Sequence, residues 1–100
     1  MSMLHIVNKS PLERVALQSA LETGASGAVL LIEDGVYGAV RGNAFEPKLK
    51  AAMSKFKVYA LAPDLEARGI ADRVMEGITT VGYDGFVDLV AEHSNTQSWL

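Results

Sequence analysis

The sequence contains no cysteine. A chain without a thiol forms no disulfide, supplies no thiolate ligand for zinc and has no sulfur nucleophile of its own. Lys and Arg are also few, nine against twelve Asp and Glu, which gives a net charge of -3. This balance provides no basic surface of the kind that neutralises phosphates, so we predict no direct nucleic-acid binding.

Long apolar runs are absent as well. No stretch approaches the ~20 apolar residues that a transmembrane helix needs. The start, MSMLHIVNKS, has neither a basic leader region nor a small-residue cleavage site. We therefore expect a soluble, cytoplasmic protein with no membrane partner.

The length of 100 residues is that of one ordinary domain, and no linker, repeat or low-complexity segment divides it. We predict a single domain over residues 1–100. Apolar residues are abundant, at about 55% when glycine is counted and tyrosine is not, against a typical value of about 45 to 50%. Part of this excess is expected on a surface that faces a partner.

Hydrophobic periodicity predicts strands that alternate with helices. Residues 28–32 are apolar without alternation, which is typical of a strand covered on both faces of a parallel sheet. Ser10 and Glu13 form a predicted capping box at the start of the first helix. The predicted strands are 4–7, 28–32, 57–62 and 78–81, and the predicted helices are 11–23, 45–55, 63–68 and 83–93. This order predicts an α/β fold, a three-layer sandwich with a mostly parallel sheet and right-handed crossovers.

Glu33 and Asp34 follow the second predicted strand, at the edge of an open α/β sheet where sites are found. Asp34 is therefore a candidate phospho-acceptor or carboxylate nucleophile. A receiver-like site also needs a second acidic cluster after the first strand, but that strand ends in the letters VNK. We favour the alternative that Asp34 and Gly35 form a turn that starts the next segment.

Other residues that could carry chemistry have no partner at a suitable spacing. His5 lies within an apolar strand and His93 near a helix end, and neither has the i, i+4 partner of a zinc-binding helix. The glycine spacing matches neither a dinucleotide-binding loop nor a P-loop. The arginines are interpreted as solvated surface residues: Arg14, Arg41, Arg68 and Arg73. We predict no catalytic residue, no metal site and no cofactor.

Four apolar residues are hard to place in the core that the predicted strands and helices form. Val36 and Tyr37 directly follow the Asp-Gly turn, and Trp99 and Leu100 are the last two residues. An apolar terminus frays in water unless something holds it, and Trp and Tyr are enriched among interface anchors. We therefore predict that Val36, Tyr37, Trp99 and Leu100 contact another subunit.

Five blocks of the sequence, in order and nearly end to end, resemble the DsrH/TusB family of sulfur-relay proteins. The blocks are MLHIVNKSP, LLIEDGVYGAV, KVYALAPDLEARG, YDGFVDLV and the terminal QSWL. The resemblance implies a DsrE-like α/β fold and a heterohexamer with two related subunits, DsrE/TusD-like and DsrF/TusC-like, with two copies of each. It also implies that a cysteine persulfide on the DsrE/TusD-like subunit carries the sulfur, which the complex passes to a downstream acceptor protein.

Some DsrH-type members carry a cysteine in the first helix, where this sequence has Ala20. The resemblance therefore implies a non-catalytic, structural subunit to which sulfur is not bound covalently. TusB-type complexes serve 2-thiolation of the wobble uridine in tRNA, which the missing cysteine favours. DsrH-type complexes serve dissimilatory sulfur oxidation. The N-terminal segment VNKSPLER favours this function, because it is more similar to DsrH. Two alternatives belong to other functional classes. One is a phospho-receiver or hydrolase that depends on Asp34, and the other is a self-assembling homo-oligomer.

Overall fold

The computed structural model describes residues 3–12, 15–23 and 26–99, with the backbone alone at residue 23. Five strands and four helices lie within these residues. The strands are β1 (Met3–Val7), β2 (Gly27–Leu31), β3 (Phe56–Leu61), β4 (Thr79–Val81) and β5 (Asn95–Trp99). The helices are α1 (Ala16–Thr23), α2 (Glu46–Ala52), α3 (Ala62–Ala67) and α4 (Tyr83–Glu92). Two 3₁₀ segments, Glu33–Ala39 and Ala71–Arg73, lie in the connections.

All five strands are parallel, in the order β4-β3-β2-β1-β5. The chain crosses the sheet in one direction from β1 to β4 and then returns through α4 to β5, on the far side of β1. With right-handed crossovers, the first three connections cover one face of the sheet and α4 covers the other. The predicted α/β fold is confirmed, and its sheet is entirely parallel.

The two faces of the sheet bury different residues because side chains alternate along each strand. The core of the first face joins strand residues to the helices α1, α2 and α3, and includes Val7, Val29, Leu31, Val58, Leu17, Leu49 and Leu65. On the second face, Leu4, Ala28 and Leu30 pack against Leu89 of α4. Since α4 is the one helix that the described residues place there, several second-face residues stay only partly buried: Ile6, Ile32 and Tyr59.

The first helix begins later than the sequence predicts. α1 begins at Ala16, whereas the prediction starts the helix at residue 11. Ser10 Oγ accepts a hydrogen bond from the backbone N–H of Leu12 at 3.2 Å, so this serine closes a turn in front of the helix. Glu13, the other half of the predicted capping box, lies outside the described residues.

The fifth strand is the element that the sequence pattern misses. β5 pairs with β1 in parallel register, with Trp99 opposite Val7. Four of its five side chains are exposed. Backbone hydrogen bonds to β1 hold this edge strand in place, so its side chains need no apolar pattern. The alternating hydrophobic pattern that reveals a buried strand is therefore absent from β5. The strands predicted from the sequence do not include residues 95–99, and the structure adds β5 to them.

The 3₁₀ segment Glu33–Ala39 folds back over the end of β1. Val7 O accepts a hydrogen bond from the Ile32 N–H at 2.9 Å, and Gly35 lies directly against the same carbonyl. A Cβ at Gly35 would overlap Val7 O, so only glycine fits this close approach. The predicted turn at Asp34 and Gly35 is confirmed in this form, since the Gly35 N–H donates to Ile32 O at 2.8 Å.

Candidate functional site

The carboxyl ends of all five parallel strands meet at one edge of the sheet, where open α/β sheets build their sites. We call this region the carboxyl edge and define it by the 3₁₀ segment Glu33–Ala39, the helix α3 and Trp99 at the end of β5. The candidate residues Asp34, Tyr37 and Trp99 all lie on it.

Asp34 is engaged in an ion pair with Arg68, at the end of α3. The Nε and Nη2 atoms of Arg68 donate to Asp34 Oδ1 at 3.1 and 2.9 Å. The Asp34 side chain is 61% exposed and that of Arg68 is 23% exposed, so water screens much of the attraction. The pair joins the segment after β2 to the helix after β3, and it gives Asp34 a structural partner.

Asp64 completes this cluster from the first turn of α3. Its Oδ2 accepts a hydrogen bond from the backbone N–H of Glu33 at 2.6 Å. Arg68 Nη1 donates to the Asp64 carbonyl oxygen at 3.2 Å and lies 4.0 Å from Asp64 Oδ1. Glu33 has a φ of 49°, a left-handed conformation that costs a non-glycine residue about 1 kcal/mol or more. The Asp64 carboxylate stabilises this strained turn.

Arg68 is the residue of this site that sequence interpretation misses. It is predicted to be a solvated surface arginine, but it contacts Asp34, Asp64 and the ring of Tyr37, whose centroid lies 6.0 Å from the guanidinium carbon. A usable signal is present in the sequence. Asp64 and Arg68 are four residues apart directly after a strand, so they share one face of a helix next to the carboxyl edge.

Tyr37 and Val36 lie on different sides of the 3₁₀ segment. Tyr37 is 37% exposed, whereas Val36 is 0% exposed and packs into the core of the first face. The expectation that Val36 presents an apolar surface to a neighbour is wrong, because the turn directs its side chain under the segment and onto the sheet. Contact of Tyr37 with another subunit stays a prediction.

Trp99 is held within its own chain. Its indole Nε1–H donates to Nδ1 of the fully buried His5 at 3.0 Å, and the two ring centroids are 5.9 Å apart. Trp99 also packs, partly buried, against the core of the first face. The chain itself therefore anchors Trp99, and a contact of Trp99 with another subunit stays a prediction. Leu100 lies outside the described residues.

Both histidines have structural roles. His5 is a hydrogen-bonded core residue, and its ring also makes an edge contact with Phe56 at a centroid distance of 5.7 Å. His93 follows α4, and its Nδ1 lies 2.7 Å from the carbonyl oxygen of Leu89. Within the described ranges, no three His, Asp or Glu side chains form a group that could hold a metal ion. The described helices include none with the length and apolar character to cross a membrane.

Comparison of the sequence with known proteins points to one family. A family model described as "DsrH like protein" matches residues 9–96. Protein TusB from Escherichia coli O81 (strain ED1a) is 39% identical over 99 residues, which cover 97% of this chain and 100% of that protein. Protein TusB from Buchnera aphidicola subsp. Baizongia pistaciae (strain Bp) is 36% identical over 99 residues with the same coverage.

Solved structures share the fold at low sequence identity. The crystal structure of the ychN protein from E. coli matches with a TM-score of 0.78 at 14% identity, covering 99% of this chain and 100% of that one. A protein of unknown function from Methanobacterium thermoautotrophicum matches with a TM-score of 0.76 at 18% identity, covering 97% of each chain. These matches support the α/β fold, and the sequence matches over nearly the whole chain decide the family. The chain belongs to the DsrH/TusB family.

Proposed function

We propose that this chain is the thiol-free subunit of a cytoplasmic sulfur-relay complex that supports 2-thiolation of the wobble uridine in tRNA. The observation that carries the proposal is the match to TusB proteins over nearly the whole chain, in a sequence that contains no cysteine. The family match supports a place in the relay. The missing thiol supports a role in which no sulfur is bonded to this chain.

The chemistry of the carrier step motivates this division of roles. A persulfide forms when a cysteine thiolate receives a sulfur atom, so the carrier must have a thiol. In this proposal the thiol belongs to a DsrE/TusD-like subunit, which joins this chain and a DsrF/TusC-like subunit in a hexamer with two copies of each. Sulfur then passes from the complex to a downstream acceptor protein. This chain is not catalytic, and it contributes shape and contact.

The carboxyl edge supports a contact role. The Asp34 carboxylate is engaged by Arg68 and that of Asp64 by the Glu33 backbone, so both stabilise the edge itself. Tyr37 lies over the Arg68 guanidinium and Trp99 is fixed by its hydrogen bond to the sheet, so two aromatic side chains are positioned and partly exposed. Positioned aromatic side chains lose little entropy on binding. We place subunit contacts at Tyr37 and Trp99.

Deletion of the gene in its native host tests the tRNA assignment. We expect the deletion to abolish 2-thiouridine at the wobble position, measured by mass spectrometry of nucleosides from digested tRNA, and the wild-type gene to restore it. Deletion of the gene for the DsrE/TusD-like subunit is the matched control and should give the same loss. Undiminished 2-thiouridine without this chain would contradict the assignment.

Tyr37→Ala tests the contact at the carboxyl edge. We expect the affinity of the variant for the two sister subunits to fall by at least about tenfold. Aromatic anchors typically contribute about 2 kcal/mol or more to binding. Affinity measured by calorimetry decides the matter. A variant that is folded and binds as tightly as the wild type removes Tyr37 from the interface.

Dissimilatory sulfur oxidation is the second candidate, favoured by the match of residues 9–96 to the DsrH-like family model. In that case the deletion strain should keep its 2-thiouridine and lose oxidation of reduced sulfur compounds such as thiosulfate. The same deletion strain therefore separates the two candidates.

A further inference from the structure

The helix α4 is apolar on more than the side that packs on the sheet. Leu89 is buried against the second face of the sheet, and Phe86 packs partly buried beside it. The exposed side chains Tyr83, Val87 and Val90 are 62%, 67% and 41% exposed. Residues at i, i+4 and i+7 share one side of a helix, so these three form a continuous ridge. We call it the α4 ridge.

The α4 ridge lines a shallow surface depression. The residues that line it are Tyr83, Phe86, Val87, Val90 and Ala91. Single exposed apolar residues are ordinary on a protein surface, but a contiguous group with a polar rim marks an interaction site. The ridge also lies on the second face, which has a single helix among the described residues to cover five strands. Sheets of parallel strands are normally covered on both faces.

Carboxylates border the ridge on one side. Asp84, Asp88 and Glu92 recur at i, i+4 and i+8, on the row next to the ridge. The ion pairs found among the described residues, Lys50 with Glu46 and Arg68 with Asp34 and Asp64, do not include these three carboxylates. The sequence contains no Lys or Arg from residue 74 to residue 100. The row of α4 that borders the ridge on this side is therefore acidic.

This charge pattern selects the kind of partner. Packing of α4 against α4 of a second copy would bring two rows of carboxylates together, and like charges across an interface cost several kcal/mol. An anionic membrane surface is disfavoured for the same reason. A protein surface that is apolar at its centre and basic at its rim satisfies both the ridge and its carboxylates.

We propose that the α4 ridge docks a protein subunit with such an apolar, basic-rimmed surface, and that it does not pair with a second copy of this chain. The inference rests on the proposed function, which supplies the sister subunits as the occupants to test. It adds a second contact surface, on the opposite face of the sheet from the core against which Trp99 packs.

Val87→Asp tests the apolar part of the ridge, with Val15→Asp as the matched control. Both valines are exposed to a similar degree, 67% and 71%. Val87 lies in α4, whereas Val15 directly precedes α1. We expect Val87→Asp to weaken binding of the full chain to the purified sister subunits by at least about tenfold. Val15→Asp should change it by less than about twofold. Thermal unfolding of each variant alone checks that the fold is kept.

Charge reversal tests the rim. The triple variant Asp84→Lys, Asp88→Lys and Glu92→Lys should also bind at least about tenfold more weakly, and the salt dependence of its affinity should reverse its sign, because attraction becomes repulsion. Analytical ultracentrifugation of the wild-type chain alone, in low and high salt, should show no dimer that depends on the α4 ridge. The oligomeric state of Val87→Asp should therefore equal that of the wild type.

The outcomes separate the two claims. If the wild type does not bind the sister subunits, the proposed function and this inference both fall. If the wild type binds but Val87→Asp and the charge-reversed variant bind equally well, the inference alone is overturned. A homodimer of the wild type that Val87→Asp abolishes would also overturn it, in favour of a homotypic contact.

Discussion

Trp99 donates a hydrogen bond from its indole Nε1 to Nδ1 of His5, 3.0 Å away and 94 positions earlier in the sequence. An indole N–H can only donate, so His5 Nδ1 is the unprotonated acceptor in this contact. Trp99 ends β5 and His5 lies in β1, the neighbouring strand. The last strand is thus tied to the sheet by a side-chain contact as well as by backbone pairing.

Trp99→Phe should destabilise the protein although it keeps an aromatic ring. The change leaves the buried His5 without this donor, which costs about 1 to 3 kcal/mol in the free energy of unfolding. Urea denaturation measures the difference. Gln97→Ala is the control because Gln97 is exposed on the same strand, and its effect should stay within about 0.5 kcal/mol. A Trp99→Phe variant as stable as the wild type would argue against an energetic role for the bond.

Arg68→Ala should lower the free energy of unfolding by about 1 kcal/mol, because Asp34 is largely exposed and its pairing is screened. Arg68→Lys should not restore it, since a lysine lacks the forked donors that reach both Asp34 and the Asp64 carbonyl. Chemical denaturation of both variants is compared with that of Arg73→Ala, which changes an exposed arginine. Full rescue by lysine would show that charge alone matters.

Gly35→Ala should destabilise the protein by about 2 kcal/mol or more, because the added Cβ overlaps the backbone carbonyl of Val7 and the 3₁₀ segment must shift. Gly82→Ala is the matched control. Gly82 has no atom within 4 Å of an added Cβ and a φ of -88°, so its loss should cost less than about 1 kcal/mol. Equal thermal stability of the two variants would refute the close approach.

Glu46 gives a prediction for acid pH. Its carboxylate accepts a hydrogen bond from the Gly42 N–H, and this bond, followed by the nearby Lys50, lowers the pKa of Glu46 below its ordinary value of 4.5. The folded pKa is lower than the unfolded one, so the stabilisation is complete above the unfolded pKa and is lost as the pH falls through the folded pKa.

An NMR titration of the carboxyl carbon checks this sign. We expect a midpoint below 4.5 for Glu46 in the wild type and a partial rise towards that value in Lys50→Ala, which keeps the Gly42 bond. A midpoint at or above 4.5 in the wild type contradicts the assignment.

The elements that the sequence predicts correctly are those with a local or periodic cause. β2 has an apolar run because both of its faces are buried, and the four predicted strands and helices occur in the predicted order. The predicted helix 63–68 is followed by Gly69, which adopts a φ of 68°, as a left-handed helix terminus requires. Such features need no knowledge of distant residues.

The errors concern features that depend on distant residues. β5 is polar because it is an exposed edge strand, so only its pairing with β1 reveals it. Val36 is buried by the way in which the 3₁₀ segment folds over β1, and Arg68 is engaged because α3 ends beside Asp34. Each of these positions is decided by tertiary contacts that a single sequence does not display.

Sulfur loading measured on this chain alone and with its sister subunits tests the central claim most directly. A cysteine desulfurase with labelled cysteine supplies the persulfide sulfur, and intact-protein mass spectrometry without reductant reads the product on each subunit. The account predicts no added sulfur on this chain in either mixture, and added sulfur on a cysteine-bearing sister subunit. A gain of one sulfur mass on this chain, which contains no cysteine, would contradict it.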